Sequence, residues 1–316
     1  MTDPPLSPDG RPAERIFSGA ALPDALAAKA AAGARITVAL PALDEAATIG
    51  PICRAIHTDL MKNSEFVDEL IVVDSGSRDE TRDIARSEGA TVFETSSVLP
   101  SHPSPPMRGG KGEALWKSLA VATGDIVVWL DSDVTNFRSG YVTGLATPLL
   151  RHPELLLAKA FYRRPIVREG TVVEDGARVT ELLVRPLLNL LYPALSSFVQ
   201  PLAGETAVVR DAVLQVPLAT GYAIEAVLLV DMAERFGIGS LCQVDLDVRT
   251  HRNRDLQSLG QMSAQIARAL LMRLEDLGAM KLPDEVAELL VQFENGAIPV
   301  TSDIGAEMLP PMATLL

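Results

Sequence analysis

The sequence lacks any uninterrupted apolar run of the ~18 residues that a membrane-crossing helix needs. Its opening stretch, MTDPPLSPDGRPAER, also lacks the apolar centre of a signal peptide. The expectation is a cytoplasmic protein with no membrane partner. Cysteine is nearly absent. Cys53 and Cys242 each stand in an apolar periodic stretch, which excludes a disulfide framework and a thiolate metal site and leaves two core thiols. Positive charge is scarce too: Lys and Arg total 28 against 41 Asp and Glu, a formal net charge of −13. A nucleic-acid partner is therefore not expected, because phosphate backbones are gripped by an excess of basic residues.

What is present is an ordinary globular mixture, 47% hydrophobic and 22% charged, able to bury a large core. The length of 316 residues suits one α/β domain with an appended helical lobe. The basic residues gather in or beside loop-like segments: Arg163 and Arg164, Arg178, Arg185, and the group Arg249, His251, Arg252 and Arg254. Such clusters either hold a small anion in a pocket or lie solvated on the surface.

Residues 1–22, rich in Pro, Gly and Asp without apolar periodicity, are expected to form a mobile leader. After a short Ala-rich helix over 24–32, ITVALPAL (36–43) predicts a strand, followed by an acidic turn and a helix over 46–60. The unit repeats in ELIVVDSGS (69–77), a helix over 79–89 and TVFE (91–94). A Pro- and Gly-rich stretch over 95–112 feeds the helix of KGEALWKSLAVATG, and DIVVWLDSD (125–133) is a buried strand ending in carboxylates. Continuous apolar strands alternating with helices imply an α/β fold with a mostly parallel sheet, whose ligands bind at the carboxyl ends of the strands. Further on, the pattern predicts a strand over 155–164, helices over 178–195, 222–237 and 255–277, and a strand over 238–252. The last forty residues carry weak signals.

In Asp131-Ser132-Asp133 two carboxylates leave a buried strand on the same side, as a period of two requires. Hard oxygen ligands of this kind suit Mg²⁺ or Mn²⁺. Taken alone, such a pair is also what an acidic turn looks like. Two other strands run into polar loops at the same edge, Pro41-Ala42-Leu43-Asp44-Glu45 and Asp74-Ser75-Gly76-Ser77. Lys111 opens a helix behind two glycines, where free backbone N–H groups and an ammonium receive phosphate, although a surface lysine has the same appearance. His251 follows the last predicted strand and is expected as a metal ligand through a ring nitrogen. Glu205 in QPLAGE and Glu225 in GYAIE are either helix-start carboxylates or acceptors for sugar hydroxyls.

Taken together, VALPALDEAATI, DELIVVDSGSRDET, GGKGEALWKSLA, GDIVVWLDSD, FYRRP, RVTELLVRPLL, QPLAGE, GYAIE and VRTHRN resemble the actinobacterial glucosyl-3-phosphoglycerate synthases, retaining glycosyltransferases of family 81, over about residues 36–263. The resemblance implies a GT-A fold, a Rossmann-like and mostly parallel sheet flanked by helices with a C-terminal helical acceptor-binding lobe. It implies a nucleotide-sugar-binding half over 23–135, an acceptor-binding half over 136–278 and a tail over 279–316. By the same likeness Pro41, Ala42, Leu43 and Glu45 surround uracil and ribose, with Ser75, Ser77 and Ser132 nearby. Lys111, Asp131 and Arg249 meet the donor, Asp133 and His251 hold Mg²⁺ (or Mn²⁺), and Glu225 binds glucose hydroxyls. Arg178, Val179, Thr180 and Asn253 hold 3-phosphoglycerate, and the backbone at Leu202 lies near the anomeric carbon. The implied partners are a nucleotide sugar, 3-phosphoglycerate and a second copy of the chain in a homodimer.

The implied reaction joins the glucose of UDP-glucose to 3-phosphoglycerate with retention at the anomeric carbon. The sequence departs from the familiar pattern at Asp44, where relatives commonly carry Asn, in the Pro-rich loop over 95–108, and in the DGAR run before Arg178. Mannosyl-3-phosphoglycerate synthases of the same family use GDP-mannose on much the same framework, so the donor stays open at this level. A nucleotidyltransferase and a non-catalytic nucleotide-sugar sensor are the readings from other classes.

Overall fold

The structure, a computed structural model, describes residues 15–102, 109–163, 165–168, 171–174, 177–249, 255–294 and 298–316. Its first third lays down β1 (Ile16–Ser18), α1 (Leu22–Ala32), β2 (Ile36–Ala42), α2 (Ile49–Ala55), β3 (Glu69–Asp74), α3 (Thr81–Ser87) and β4 (Thr91–Glu94). There follow α4 (Gly110–Val121), β5 (Ile126–Trp129), α5 (Gly140–Arg151), β6 (Leu157–Arg163) and a hairpin of β7 (Pro165–Arg168) and β8 (Thr171–Glu174). Next come α6 (Arg185–Leu191), β9 (Thr206–Val209), α7 (Arg210–Val213), β10 (Leu218–Ala219), α8 (Ile224–Phe236) and β11 (Leu241–Val248). The chain closes with α9 (Leu256–Asp276), β12 (Leu289–Glu294), β13 (Ile298–Asp303) and β14 (Met308–Leu309).

One eight-stranded sheet, in the order β1-β11-β6-β9-β5-β2-β3-β4, runs through both expected halves. β9 is antiparallel to its neighbours β5 and β6, and the other pairings are parallel. Both faces of the sheet are covered, which is why β2, β3 and β5 read as unbroken apolar runs. Ile49 and Ile52 of α2, Ala25 of α1 and Leu145 of α5 pack on one face against Val38, Leu40 and Val128. Leu115 and Leu119 of α4, Leu228 of α8 and Leu270 of α9 pack on the other against Ala39, Val127 and Trp129. Each buried Leu, Ile or Val among these contributes roughly 1.5–3 kcal/mol.

Four features depart from the sequence expectation. Ile16–Ser18, placed in the leader, pairs with β11 as an edge strand, Ile16 opposite Gln243. Three residues are too few to show a period, so only the partner strand reveals them. The helix expected over 178–195 passes through a π-helical turn at Thr180–Val184 before α6 and ends in a 3-10 turn at Pro193–Leu195. Pro186 lacks the N–H that a regular turn would use, so the turn preceding it widens. The helix expected over 46–60 begins at Ile49 and continues as a π-helical turn over Ile56–Lys62. The tail forms the β12–β13 hairpin and then β14, which pairs with β10, while Trp116 Nε1 donates to Pro310 O at 2.8 Å. No helix among the described residues is long and apolar enough to cross a membrane.

Candidate active site

The carboxyl ends of β2, β3 and β5 lie side by side, so their loops meet at one edge. At the end of β3, Asp74 is fully buried and turned back on its own loop: the Gly76 and Ser77 amides donate to it at 3.1 and 3.0 Å, and so does the Ser77 hydroxyl. The same hydroxyl accepts from the Asp44 amide at 2.9 Å, and Asp44 adopts a left-handed φ of 56°. Asp44 in turn accepts from the Arg78 amide at 2.8 Å, an arrangement an asparagine oxygen would also serve. Glu45 accepts from the Thr48 hydroxyl at 3.0 Å, and the Ser132 hydroxyl donates to Pro41 O at 2.7 Å. These bonds tie the three loops into a rim on which Leu43 stands more than half exposed.

Beside that rim the residues after β5 gather charge. Lys111, at the N-terminus of α4, pairs with Asp131 and, at 2.6 Å, with Glu225 Oε1 from the first turn of α8. Arg249, just past β11, sets Nη2 at 2.7 Å from Asp131 Oδ2 and 3.1 Å from Asp133 Oδ1. Its Nε lies 2.8 Å from Glu205 Oε1, close enough for an ion pair but off the line of a hydrogen bond. Glu205 is fully buried, accepts from the Tyr162 hydroxyl at 2.9 Å, and the Arg249 guanidinium sits 5.4 Å from the Tyr162 ring centre. Burial opposes both cations, yet the carboxylates around them hold the Lys111 and Arg249 pKa values well above their ordinary positions.

Two glycines make this packing possible. A Cβ on Gly204 would meet the Asp131 carboxylate at 2.3 Å, and one on Gly112 would meet Ala219 O at 2.0 Å. The first opens room for Asp131, and the second lets α4 press against the chain leading into α8 so that Lys111 reaches Glu225.

Among the described residues, four carboxylates thus meet Lys111 and Arg249 in direct contact, and their oxygens are hard donors. Asp133 is the most open of the four, with 33% of its side chain exposed. That donor set fits a divalent cation of the Mg²⁺ or Mn²⁺ type. Among the described residues no group of three His, Cys, Asp or Glu side chains is arranged to hold a metal. His251, expected as a ligand, and Asn253, expected at the acceptor, lie outside the described residues.

The structure brings Lys111, Asp131, Asp133, Glu225 and Arg249 together in one network. Pro41, Ala42, Leu43, Glu45, Ser75, Ser77 and Ser132 lie on or beside the adjoining rim. Arg178, Val179 and Thr180 open the helical segment whose π-helical turn leads into α6, with Val179 and Thr180 buried. Leu202, partly buried, precedes the Ala203-Gly204-Glu205 turn into β9. Tyr162 and the pairing of Glu205 with Arg249 were not foreseen. FYRRP and QPLAGE lie about forty residues apart, and nothing local signals that adjacent strands join them.

Residues 37–169 match the glycosyl transferase family 2. The chain is 42% identical over 285 residues to the glucosyl-3-phosphoglycerate synthase of Petrotoga mobilis, covering 89% of this chain and 87% of that one. It is 47% identical over 248 residues to the glucosyl-3-phosphoglycerate synthase of Mycobacterium tuberculosis, covering 77% and 75%. The crystal structure of the mycobacterial enzyme in complex with Mn²⁺, UDP-glucose and phosphoglyceric acid superposes with a TM-score of 0.82 at 40% identity, over 96% of this chain and 99% of that one. The mannosyl-3-phosphoglycerate synthase of Rubrobacter xylanophilus superposes with a TM-score of 0.86 at 33% identity, over 96% of each chain.

Proposed function

The chain belongs to the glucosyl-3-phosphoglycerate synthase family of glycosyltransferases, and from that premise we propose that it transfers glucose from UDP-glucose to 3-phosphoglycerate. The observation that carries the reading is the network of Lys111, Asp131, Asp133, Glu225 and Arg249 at the carboxyl edge of the sheet. It offers two cations for a diphosphate, carboxylates for sugar hydroxyls and an open carboxylate for a divalent cation. Pro41, Ala42, Leu43, Glu45, Ser75, Ser77 and Ser132 form the rim for uracil and ribose. Arg178, Val179, Thr180 and Asn253 hold the acid acceptor through its phosphate and carboxylate.

Lys111 and Arg249 exchange part of their pairing with Asp131 for the donor diphosphate and stabilise the charge that grows on it as the glycosidic bond breaks. Glu225 accepts from glucose hydroxyls and fixes the ring. Asp133 and His251 would hold Mg²⁺ or Mn²⁺, which supplies Lewis-acid stabilisation of the leaving diphosphate when bound. The nucleophile is the acceptor's own hydroxyl. The Leu202 backbone turn flanks the anomeric carbon, and the leaving phosphate takes the hydroxyl proton as the new bond forms on the same face. Retention of configuration follows from that front-face substitution.

The test is product mass and nucleotide release with 3-phosphoglycerate and Mg²⁺, offering UDP-glucose, GDP-glucose and GDP-mannose separately. The expected result is glucosyl-3-phosphoglycerate from UDP-glucose, with Asp133→Ala slower by on the order of 10³-fold. The fold is shared with a mannosyl enzyme, so GDP-mannose as the best donor would move the chain to that branch. Nucleotide release without transfer to any acid would defeat the acceptor assignment.

The reading includes a cytoplasmic enzyme, in keeping with the buried free thiols Cys53 and Cys242, and a homodimer. Leu289, Val291 and Phe293 alternate along β12, each more than half exposed, while Gln292 between them faces α9 through Gln257 O. That apolar face suits a second copy. Sedimentation should show a dimer that Phe293→Asp weakens; a monomer at all concentrations would remove this part of the reading.

A further inference from the structure

The segment that leads into Glu225 is held from outside its own helix. Leu218 and Ala219 form β10, and Gly221–Ala223 a 3-10 turn that runs directly into α8, of which Glu225 is the second residue. The first amides of such a helix start have no partner within the helix. Ala223, at the N-cap of α8, carries no side-chain group that could accept from them. Gln265 of α9 supplies an acceptor: its Oε1 takes the Tyr222 amide at 2.8 Å, while its Nε2 donates to Gly305 O at 3.0 Å. Each end of the side-chain amide thus meets the partner its chemistry requires.

Gly305 belongs to the C-terminal tail, and the tail grips the same segment again. β14 pairs with β10, Ala219 opposite Met308. The Thr220 amide donates to Glu307 O and the Glu307 amide to Thr220 Oγ1, both at 2.9 Å, and Thr220 is fully buried. The segment also touches the residues that carry Lys111. The Gly221 amide donates to Gly109 O at 3.0 Å, and a Cβ on Gly110 would lie 3.5 Å from Gly221 Cα. Gly221 has a left-handed φ of 62°, and a Cβ there would meet Gln265 Oε1 at 2.5 Å, so turn and amide are closely fitted. The turn is a joint between the start of α4, with Lys111, and the start of α8, with Glu225, whose side chains meet at 2.6 Å. Gln265 fastens that joint to α9 and to the tail at once.

We propose that Gln265 is a positioning residue of the donor site: with tail residues 305–309 it clamps the Gly221–Ala223 turn, and so sets Glu225 toward the sugar and Lys111 toward the diphosphate. The inference rests on the donor chemistry proposed above. It gives the C-terminal tail a part in that chemistry, exerted through the turn.

The test compares Gln265→Leu, Gln265→Glu and Arg268→Met with the parent enzyme in kcat/KM for UDP-glucose, KM for 3-phosphoglycerate and melting temperature. Arg268, three residues further along α9, donates to Ala287 O and to Glu288 at 3.1 Å each, and so tethers the C-terminal segment at a different point. Gln265→Leu should lower kcat/KM for the donor by roughly tenfold, because a small misplacement of aligned groups is costly, and leave KM for the acceptor within about twofold. Gln265→Glu keeps an oxygen for the Tyr222 amide and should recover most of the loss, although without the bond to Gly305 it should melt lower than the parent. Arg268→Met should also melt lower, yet turn over like the parent. The inference is overturned by parent-like kinetics in Gln265→Leu, by a Gln265→Glu enzyme no more active than Gln265→Leu, or by an equal loss of kcat/KM in Arg268→Met. Should Gln265→Leu not fold, Gln265→Asn, which keeps both groups and shortens their reach, takes its place under the same outcomes. If the parent enzyme transfers no sugar, the reaction itself is wrong, and calorimetric affinity for UDP-glucose then decides the clamp: weaker binding by Gln265→Leu than by Gln265→Glu and Arg268→Met supports it, and equal affinity overturns it.

Discussion

Helix α8 carries two buried carboxylates within two turns, and the fold treats them in opposite ways. Glu225, in the first turn, joins a network fed by α4, by the loop after β5 and by the residues past β11. Asp231 meets Arg273 Nε of α9 at 2.5 Å, and among the described residues its second oxygen finds no hydrogen bond. Burial, only partly offset by Arg273, raises the Asp231 pKa to about 6. The first carboxylate stands where four elements end together and solvent still reaches; the second staples two helices. A network of many elements can be rearranged by a ligand, whereas a lone pair between helices has one arrangement to keep.

The contrast can be broken at its functional end with one methyl group. Gly204→Ala places a Cβ against Asp131, which Lys111 and Arg249 already hold from either side. Transfer should fall by about 10²-fold, as expected of a misplaced reactive geometry, with little change in melting temperature. Parent-like turnover would mean that Asp131 has slack.

The structural end yields a smaller effect, one of stability rather than rate. Because the folded pKa of Asp231 is raised, its protonated form favours folding at low pH, and that contribution fades as pH rises through about 6. Asp231→Asn cannot lose a proton, so between about pH 4 and 7 the parent should lose stability relative to the variant by on the order of 2 kcal/mol. Chemical denaturation of both proteins across that range measures the difference, and parallel curves would remove Asp231 as the cause. Transfer activity should hardly change.

Much of the first half was legible because burial on both sheet faces leaves a signal in every residue of a strand. β2, β3 and β5 show it, and TVFE falls on β4 to the residue. α5 left little trace, since it contains Pro148 and two glycines and is buried along nearly its whole length, so no polar face marks its period. β9 has four residues and runs against its neighbours, and β1 has three. Asp131, Asp133, Lys111 and Glu225 could each be named from local context. Asp74 looked like an equal member of the edge, yet its carboxylate is occupied by its own loop.

The sequence by itself determined the parallel sheet, the edge at which its loops collect and the kinds of side chain placed there, because period and turn chemistry are local properties of the chain. Only the tertiary structure decided which charges meet: Arg249 with Asp131, Asp133 and Glu205, Lys111 with Glu225, and Lys159 buried in the sheet against the Thr206 hydroxyl. Ion pairing falls off over a few ångströms, and residues from about forty to more than a hundred positions apart reach that range only when the sheet order has set them side by side.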